Sequence, residues 1–166
     1  MNQMIEHPVV PDVIELIPAL RAYGRALCRN LVDADDLVQE TLTKALANIE
    51  KFTPGTQLRA WLFTIMRNSF YTSRKVRARE ITGSEECVSG IRTTPATQEW
   101  SVRGREVMDA INRLPQHYRE MIILVVMLGE SYEDAARLCN CAVGTVKSRV
   151  NRARQLVIED LGADAY

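Results

Sequence analysis

The sequence lacks a hydrophobic run long enough to cross a membrane. Its longest uninterrupted apolar stretch, 121–128, is far shorter than the roughly 20 residues that a membrane-spanning helix needs. The N-terminus also lacks the basic-then-apolar order of a secretory signal peptide. We therefore expect a cytoplasmic protein that makes no contact with membranes.

Cysteine and histidine are too few and too scattered for a disulfide framework or a metal site. The four cysteines include no CxxC pair, and only His7 and His117 supply imidazole. We expect reduced thiols, with Cys28 and one of Cys139 and Cys141 buried, and neither metal nor cofactor. The sequence offers no recognisable constellation of a serine, tyrosine or cysteine nucleophile with both an acid and a base, so we expect no catalytic residues and no enzyme activity.

Charge is balanced overall but unevenly distributed. The chain has 21 Lys and Arg against 21 Asp and Glu, and this zero net charge argues against a uniformly basic nucleic-acid coat. The segments 67–79 and 137–154 are nevertheless rich in bases and contain no Asp or Glu. The sequence therefore predicts two separate basic faces in a neutral protein.

The segment 131–157 has the pattern of a helix-turn-helix. Ser131 and Asp134 form a capping box that predicts a helix from Tyr132, and Asn140 suits the following tight turn. Steps of three and four place one set of side chains on the core side of a second helix: Val143, Val146, Val150, Ala153 and Val157. The opposite side combines positive charges with hydroxyls and amides, which suits contact with the major groove. A solvated amphipathic helix is the alternative.

The first 80 residues predict three helices after a loose arm at 1–10. The first helix is capped by Asp12 and has Pro18 near the start of its regular part. Periodicity predicts the second helix over 33–49 and the third over 58–79.

Two faces of these helices have candidate functions. On the second helix, the helix dipole would stabilise Asp35 and Asp36 in a first turn, and this structural explanation stays open. The alternative is that the face 35–41, with an exposed edge of Leu37, docks a partner with basic residues. On the third helix, cations alternate with aromatics from Arg67 onward, which suits single-stranded nucleic acid. Core packing is the alternative for the aromatic residues Trp61, Phe63 and Phe70, and for Trp61 it is the favoured one.

The second half of the chain predicts a second helical domain. Residues 81–100 lose periodicity and gain Gly, Ser, Thr and Pro, as a linker does. A helix from Ser101 with inward Val107, a helix over 115–128, a cap at Gly129 and the helix-turn-helix then follow. The fold class is therefore all-α, with two small helical domains joined by a polar linker.

Four strings in this order resemble the extracytoplasmic-function sigma factors, the smallest bacterial sigma-70-type initiation factors. They are DADDLVQETLTKAL, RAWLFTIMRNSFYTSRKVRARE, LPQHYREMIIL and SYEDAARLCNCAVGTVKSRVNRAR. GTVKSR in the second helix of a terminal helix-turn-helix is fairly specific, and FYTSRKVRARE is similar to the alphaproteobacterial general stress response subgroup. One departure is the turn 139–143, where small prolines or serines are more usual in the family.

The resemblance implies a region-two-like domain at 11–80, a linker at 81–104 and a region-four-like domain at 105–161. The clamp coiled coil of the beta-prime subunit of core RNA polymerase would meet Asp35, Asp36, Leu37, Gln39, Glu40 and Thr41. The minus-10 element of promoter DNA would be engaged and melted by Arg67, Asn68, Tyr71, Arg74 and Lys75. The minus-35 element would be recognised by Thr145, Lys147, Ser148, Arg149 and Arg152. The subgroup also implies control by a small anti-sigma protein, which a phosphorylated sigma mimic displaces.

Other classes of protein compete with this interpretation. A sigma-like decoy that titrates an anti-sigma factor would keep the partner face but would not need bases on both nucleic-acid faces. A conventional helix-turn-helix regulator would leave the aromatic and basic segment 67–79 without a role. A DNA-cleaving recombinase would need a nucleophile with acid and base neighbours, which the sequence does not offer.

Overall fold

The computed structural model describes residues 8–53, 55–80 and 100–162, with the backbone alone at 77–80 and 100–103. These residues form eight α-helices and no strand, which confirms the all-α class. The chain divides into two compact units, Met1–Gly90 and Ile91–Tyr166. The three predicted domain boundaries stay a prediction, since most of the linker, like residues 1–7 of the arm, lies outside the described residues.

The first unit contains α1 (Val10–Glu15), α2 (Ile17–Leu27), α3 (Leu31–Ala47), a 3-10 turn (Ile49–Lys51) and α4 (Leu58–Glu80). The predicted cap at Asp12 is wrong, because α1 starts at Val10 with Val9 at the N-cap. Val9 is also buried, so the segment expected to be a loose arm joins the core at this residue. Pro18 lies in the first turn of α2, where its missing N–H breaks no helical hydrogen bond, as predicted.

Helix α3 starts two residues earlier than the sequence predicted. The Asn30 side chain caps it by accepting a 2.7 Å hydrogen bond from the backbone N–H of Asp33. Asp33 is therefore the carboxylate of the first turn, and Asp35 and Asp36 lie beyond it. Because the dipole effect fades after the first turn, it does not account for Asp35 and Asp36.

The core of the first unit lies between α2, α3 and α4. Tyr23 of α2 is fully buried, with its ring centroid 4.8 Å from that of Phe63 on α4. A Cβ atom at Gly24 would lie 3.2 Å from the backbone oxygen of Ala34, so glycine permits the close approach of α2 to α3. These contacts fix the direction in which α3 and α4 present their outer faces.

The second unit contains α5 (Trp100–Arg113), α6 (Gln116–Ile122), a π-helical turn (Ile123–Met127), α7 (Tyr132–Cys139) and α8 (Val143–Asp160). Helix α5 begins inside the range predicted as linker. The predicted helix 115–128 is interrupted because the N–H of Leu128 donates to the oxygen of Ile123, five residues back, over 2.9 Å. Gly129 then ends the segment with a φ of +71°, as its predicted capping role requires.

Two buried charges in α6 were not predicted. Arg119 and Glu120 are each 1% exposed. The Arg119 guanidinium donates to the backbone oxygen of Asn112 over 3.2 Å and to the side chain of Gln116, so it ties α6 to the end of α5. Val107, predicted to face inward, is 38% exposed and does not join this core.

Candidate nucleic-acid and partner interfaces

The helix-turn-helix forms as the sequence predicts. The backbone N–H of Asp134 donates to the Ser131 hydroxyl over 2.9 Å, and that hydroxyl donates to the Asp134 carboxylate over 2.6 Å. Hydrogen bonds from Ser131 and from Arg137 hold the pKa of the Asp134 carboxyl below its ordinary value. Asn140 adopts the left-handed conformation (φ 50°, ψ 53°), and the N–H of Cys141 closes the turn onto the oxygen of Ala136.

Helix α8 separates a core side from a solvent side. Val146, Val150 and Ala153 are fully buried, Val157 is 8% exposed, and Val143 is half-buried. On the opposite side, steps of three and four bring together four of the five predicted minus-35 residues: Thr145, Ser148, Arg149 and Arg152. The fifth, Lys147, is exposed at the edge of this face with its ammonium 5.8 Å from the ring centroid of Tyr132.

The polar groups on this face differ in how freely they can bind a ligand. The Ser148 hydroxyl donates to the backbone oxygen of Thr145 over 3.0 Å. The Arg152 guanidinium lies 3.9 Å from the Glu159 carboxylate. Arg149 is half-buried and makes no hydrogen bond or ion pair within the part of the chain that the structure describes. Its guanidinium is therefore the group on this face that is most available to a base edge or a phosphate.

Helix α4 alternates cations and aromatic rings, as predicted. The Arg67 guanidinium lies 4.6 Å from the ring centroid of Tyr71, and that of Arg74 lies 5.6 Å from the ring centroid of Phe70. The two ring centroids are 5.2 Å apart with a near-perpendicular arrangement. Phe70 is 9% exposed, so its ring belongs mainly to the core, whereas Tyr71 is half-buried. Phe63 is also in the core, as the alternative interpretation of the aromatics held.

The remaining predicted minus-10 residues lie on the solvent side of α4. Asn68, Arg74 and Lys75 are exposed. Beside Asn68 a cavity of about 470 Å³ opens between α3 and α4. Its walls include the side chains of Lys44, Asn48, Trp61, Ile65, Asn68 and Thr72. Trp61 is only half-buried, so the favoured interpretation of this residue as core holds only in part.

The cavity contains residues that the sequence did not single out. The Lys44 ammonium is held at its rim by Glu40 at 2.6 Å and by the Ser69 hydroxyl at 2.9 Å. Lys44 and Asn48 come from α3, whereas Trp61 and Asn68 come from α4. No periodicity in either helix shows that the other will lie beside it, so the sequence carries no signal for this cavity.

The acidic face of α3 is smaller than predicted. Asp35, Asp36 and Gln39 are exposed, and neither aspartate makes a hydrogen bond or ion pair within the described ranges. Leu37 is only 6% exposed, so the expected exposed edge at this residue is wrong. Thr41 is fully buried and donates its hydroxyl to the Leu37 oxygen over 2.7 Å. Both side chains lie on the inward stripe of the helix.

An apolar residue extends the acidic face. Val32 is 71% exposed at the start of α3, one turn before Asp35 and Asp36. Sequence reasoning missed this residue because it placed the helix start at Asp33. The capping side chain of Asn30, three residues before an acid, was the signal that could have corrected the start.

The cysteines do not gather into a reactive or metal-binding cluster within the described ranges. Cys28 and Cys139 are buried and Cys141 is half-buried, as predicted, and Cys87 lies outside those ranges. Among the residues that can be described, no three His, Cys, Asp or Glu side chains are placed to share a metal ion. None of the described helices is both long and apolar enough to span a bilayer.

Two family models match the chain, one in each unit. The model for the sigma2 domain of PhyR matches residues 13–67. The model for sigma-70 region 4 matches residues 104–157, which include the helix-turn-helix.

Known sigma factors are similar to this chain over most of its length. The ECF RNA polymerase sigma factor EcfG of Rhodopseudomonas palustris is 45% identical over 161 residues, which cover 92% of this chain and 89% of the relative. The ECF RNA polymerase sigma factor SigC of Mycobacterium tuberculosis is 37% identical over 136 residues, which cover 79% and 71%.

Among solved structures, the sigma factor RpoE in complex with the anti-sigma factor NepR from Bartonella quintana is similar with a TM-score of 0.84 and 43% identity. That similarity covers 93% of this chain and 96% of the other.

Proposed function

The chain belongs to the extracytoplasmic-function RNA polymerase sigma factors, and from that premise we propose which of its surfaces perform each step of transcription initiation. As a sigma factor it directs core RNA polymerase to specific promoters and aids strand opening. The observation that carries the proposal is that two basic faces of different chemistry occur in separate units. The α8 face presents hydroxyls and guanidinium groups, and the α4 face presents rings and guanidinium groups.

The α8 face recognises the minus-35 element as duplex DNA. Thr145, Ser148, Arg149 and Arg152 share one side of the helix and contact base edges and phosphates in the major groove, with Lys147 as a phosphate contact at the edge. The guanidinium of Arg149, which has no partner among the described residues, supports its role as the principal base contact, because arginine donates two parallel hydrogen bonds to guanine.

The α4 face engages the minus-10 element and helps to open it. Arg67, Arg74 and Lys75 follow the backbone of the exposed strand, and Tyr71 offers a ring for base stacking. The neighbouring cavity adds a place for an unstacked base, because it combines the Trp61 ring with the Asn68 amide and is large enough for a nucleobase. The cation contact between Arg67 and Tyr71 holds this ring in position before DNA arrives.

The α3 face binds core polymerase at the clamp coiled coil of the beta-prime subunit. Asp35, Asp36, Gln39 and Glu40 supply the polar contacts, and the exposed Val32 supplies an apolar one. The carboxylates of Asp35 and Asp36, which have no partner among the described residues, are suited to a partner with basic residues, whereas Glu40 is already paired with Lys44. Leu37 and Thr41 act from the core by holding the shape of this helix, since neither presents surface to a partner.

A similar solved structure indicates how the activity of this chain is regulated. RpoE of Bartonella quintana binds the anti-sigma factor NepR, and we infer that a small anti-sigma protein binds this chain also. Such control is suited to a sigma factor of the general stress response that acts in the cytoplasm. The chain contributes no catalytic group, because the polymerase performs the chemistry of RNA synthesis.

Transcription with purified core polymerase tests the function and the α4 assignment together. The parent chain should start transcripts at defined promoters. Tyr71→Ala should form the closed complex normally but open the strands roughly 5-fold to 150-fold less well, because one stacking contact is worth about 1 to 3 kcal/mol. Permanganate footprinting measures the opening. Tyr71→Phe keeps the ring and should open DNA normally. A chain that starts no transcript at any defined site would act as a decoy instead, and normal opening by Tyr71→Ala would remove the ring from the mechanism.

Arg149→Ala tests the minus-35 assignment. Loss of a bidentate base contact costs about 1 to 3 kcal/mol, so binding to the preferred upstream sequence should weaken while binding to unrelated DNA changes little. The matched control is Arg154→Ala, an exposed arginine one turn further along α8 that is outside the proposed set. Competition with a library of upstream sequences gives the measurement. An unchanged preference in Arg149→Ala would exclude this residue from base recognition.

A further inference from the structure

Helix α2 presents arginines that none of the assigned surfaces uses. Arg21 and Arg25 lie one helical turn apart on α2, and Arg29 follows in its connection to α3. All three side chains are exposed, and none makes a hydrogen bond, ion pair or ring contact within the residues that the structure describes. We call these residues the α2 arginine series.

Helix stability does not explain the series. Like charges four residues apart repel each other, so Arg21 and Arg25 destabilise the helix that carries them. The helix dipole favours a cation at Arg25, in the last turn of α2, but offers nothing to Arg21 two turns from the end. Arg29 comes two residues before α3, where the positive end of a helix dipole disfavours a cation. Helix stability therefore gives no reason for this arrangement, whereas a ligand of opposite charge would.

The chemistry of the series suits a phosphate backbone. Guanidinium groups bind phosphate with two parallel hydrogen bonds, and successive groups on α2 are about 6 Å apart along the axis at 1.5 Å per residue. Between Arg21 and Arg29 the described chain offers no apolar surface beyond the half-buried Ala22, and the exposed Leu31 and Val32 follow only at the start of α3. A stable protein interface needs large apolar or aromatic anchors at its centre, and none is exposed between Arg21 and Arg29. The clamp partner of α3 is expected to be basic and would repel the series.

We propose that the α2 arginine series binds the sugar-phosphate backbone of promoter DNA as a third, sequence-independent contact. This site lies outside the α4 and α8 faces and adds affinity and position without recognising bases. A neutral sigma factor cannot attract DNA through its net charge, so it must concentrate phosphate contacts in small groups of arginines such as this one.

The test uses the holoenzyme assembled from core polymerase and the full chain carrying Arg21→Gln, Arg25→Gln and Arg29→Gln together. Promoter affinity is measured over a series of salt concentrations. Loss of three phosphate contacts should reduce the slope of log K against log salt by about 2.7 for duplex DNA, or about 2.1 for a single strand. The preference among upstream sequences should stay the same, because the series contacts no base. The matched control replaces the same three residues by lysine, which keeps the charge and most of the slope.

Two outcomes would overturn the proposal. An unchanged salt slope with unchanged holoenzyme assembly would mean that the arginines face solvent only. An unchanged slope with weaker binding to core polymerase would assign the series to an acidic protein surface. Loss of fold cannot imitate the expected result, since thermal unfolding of the glutamine variant should match or exceed that of the parent once the repulsion is removed. Failure of the Arg149 or Tyr71 assignments would leave the slope effect in place.

Discussion

Val150→Asp should unfold the second unit of the chain while the first unit stays folded. Val150 is fully buried on the inward side of α8, and α8 packs against α6. A carboxylate at this position would lose its hydration without gaining a partner, at a cost of several kcal/mol. A unit of this size has a small core and only a few kcal/mol of net stability. The cost of the substitution should therefore exceed the unit's free energy of unfolding.

Hydrogen exchange measured along the chain distinguishes the two units. Amides of α6 and α8 should lose protection in Val150→Asp, while those of α2 and α3 keep it. Minus-35 binding should disappear, and association with core polymerase through the first unit should persist in weakened form. Asn151→Asp places the same charge on the exposed neighbour and should change neither protection nor fold. Protected amides in α8 of Val150→Asp would show that the helix tolerates the charge.

Asp36→Lys should abolish most of the affinity for core polymerase. Asp36 is exposed and unpaired within the described residues, so the substitution costs nothing in lost internal contacts. It replaces an attraction to a basic partner with a repulsion, and like charges brought together across an interface cost several kcal/mol. The dissociation constant should therefore rise by at least about 100-fold.

A control with the same change of charge isolates the effect of position. Glu15→Lys reverses an exposed carboxylate at the end of α1 in the same unit, where the helix dipole favours a cation. It should bind core polymerase like the parent chain. Equilibrium titration with labelled core polymerase measures both variants. Equal affinity of Asp36→Lys and Glu15→Lys would end the assignment of the α3 face and would leave the function of the whole chain unaffected.

Sequence patterns correctly predicted those elements whose conformation depends on residues close by in the chain. The Ser131 cap, the left-handed turn at Asn140 and the inward residues of α8 are confirmed because each depends on neighbours within one or two turns. The family interpretation is confirmed for the same reason, since the strings that carry it are short and continuous. The assignments of individual site residues stay predictions.

Predictions failed where packing between distant segments decided the outcome. Sequence reasoning expected an exposed edge of Leu37, although helical spacing from Ala34 and next to Val38 places this residue inward, and its side chain is only 6% exposed. Val107 fitted an apolar stripe on α5, but it is 38% exposed. The burial of Arg119 and Glu120 was not predicted at all, because charged side chains are ordinarily exposed.

The sequence by itself determined the helical class, the helix-turn-helix and the location of two basic segments, because periodicity, capping and charge act over short stretches of chain. Only the tertiary structure decided which polar groups are free. Among the described residues it gives the guanidinium of Arg149 and the α2 arginine series no hydrogen-bond or ion-pair partner, and it brings α3 beside α4 to form the cavity near Asn68. The physical reason is that availability depends on what lies within a few ångströms in space, and residues far apart in sequence decide that.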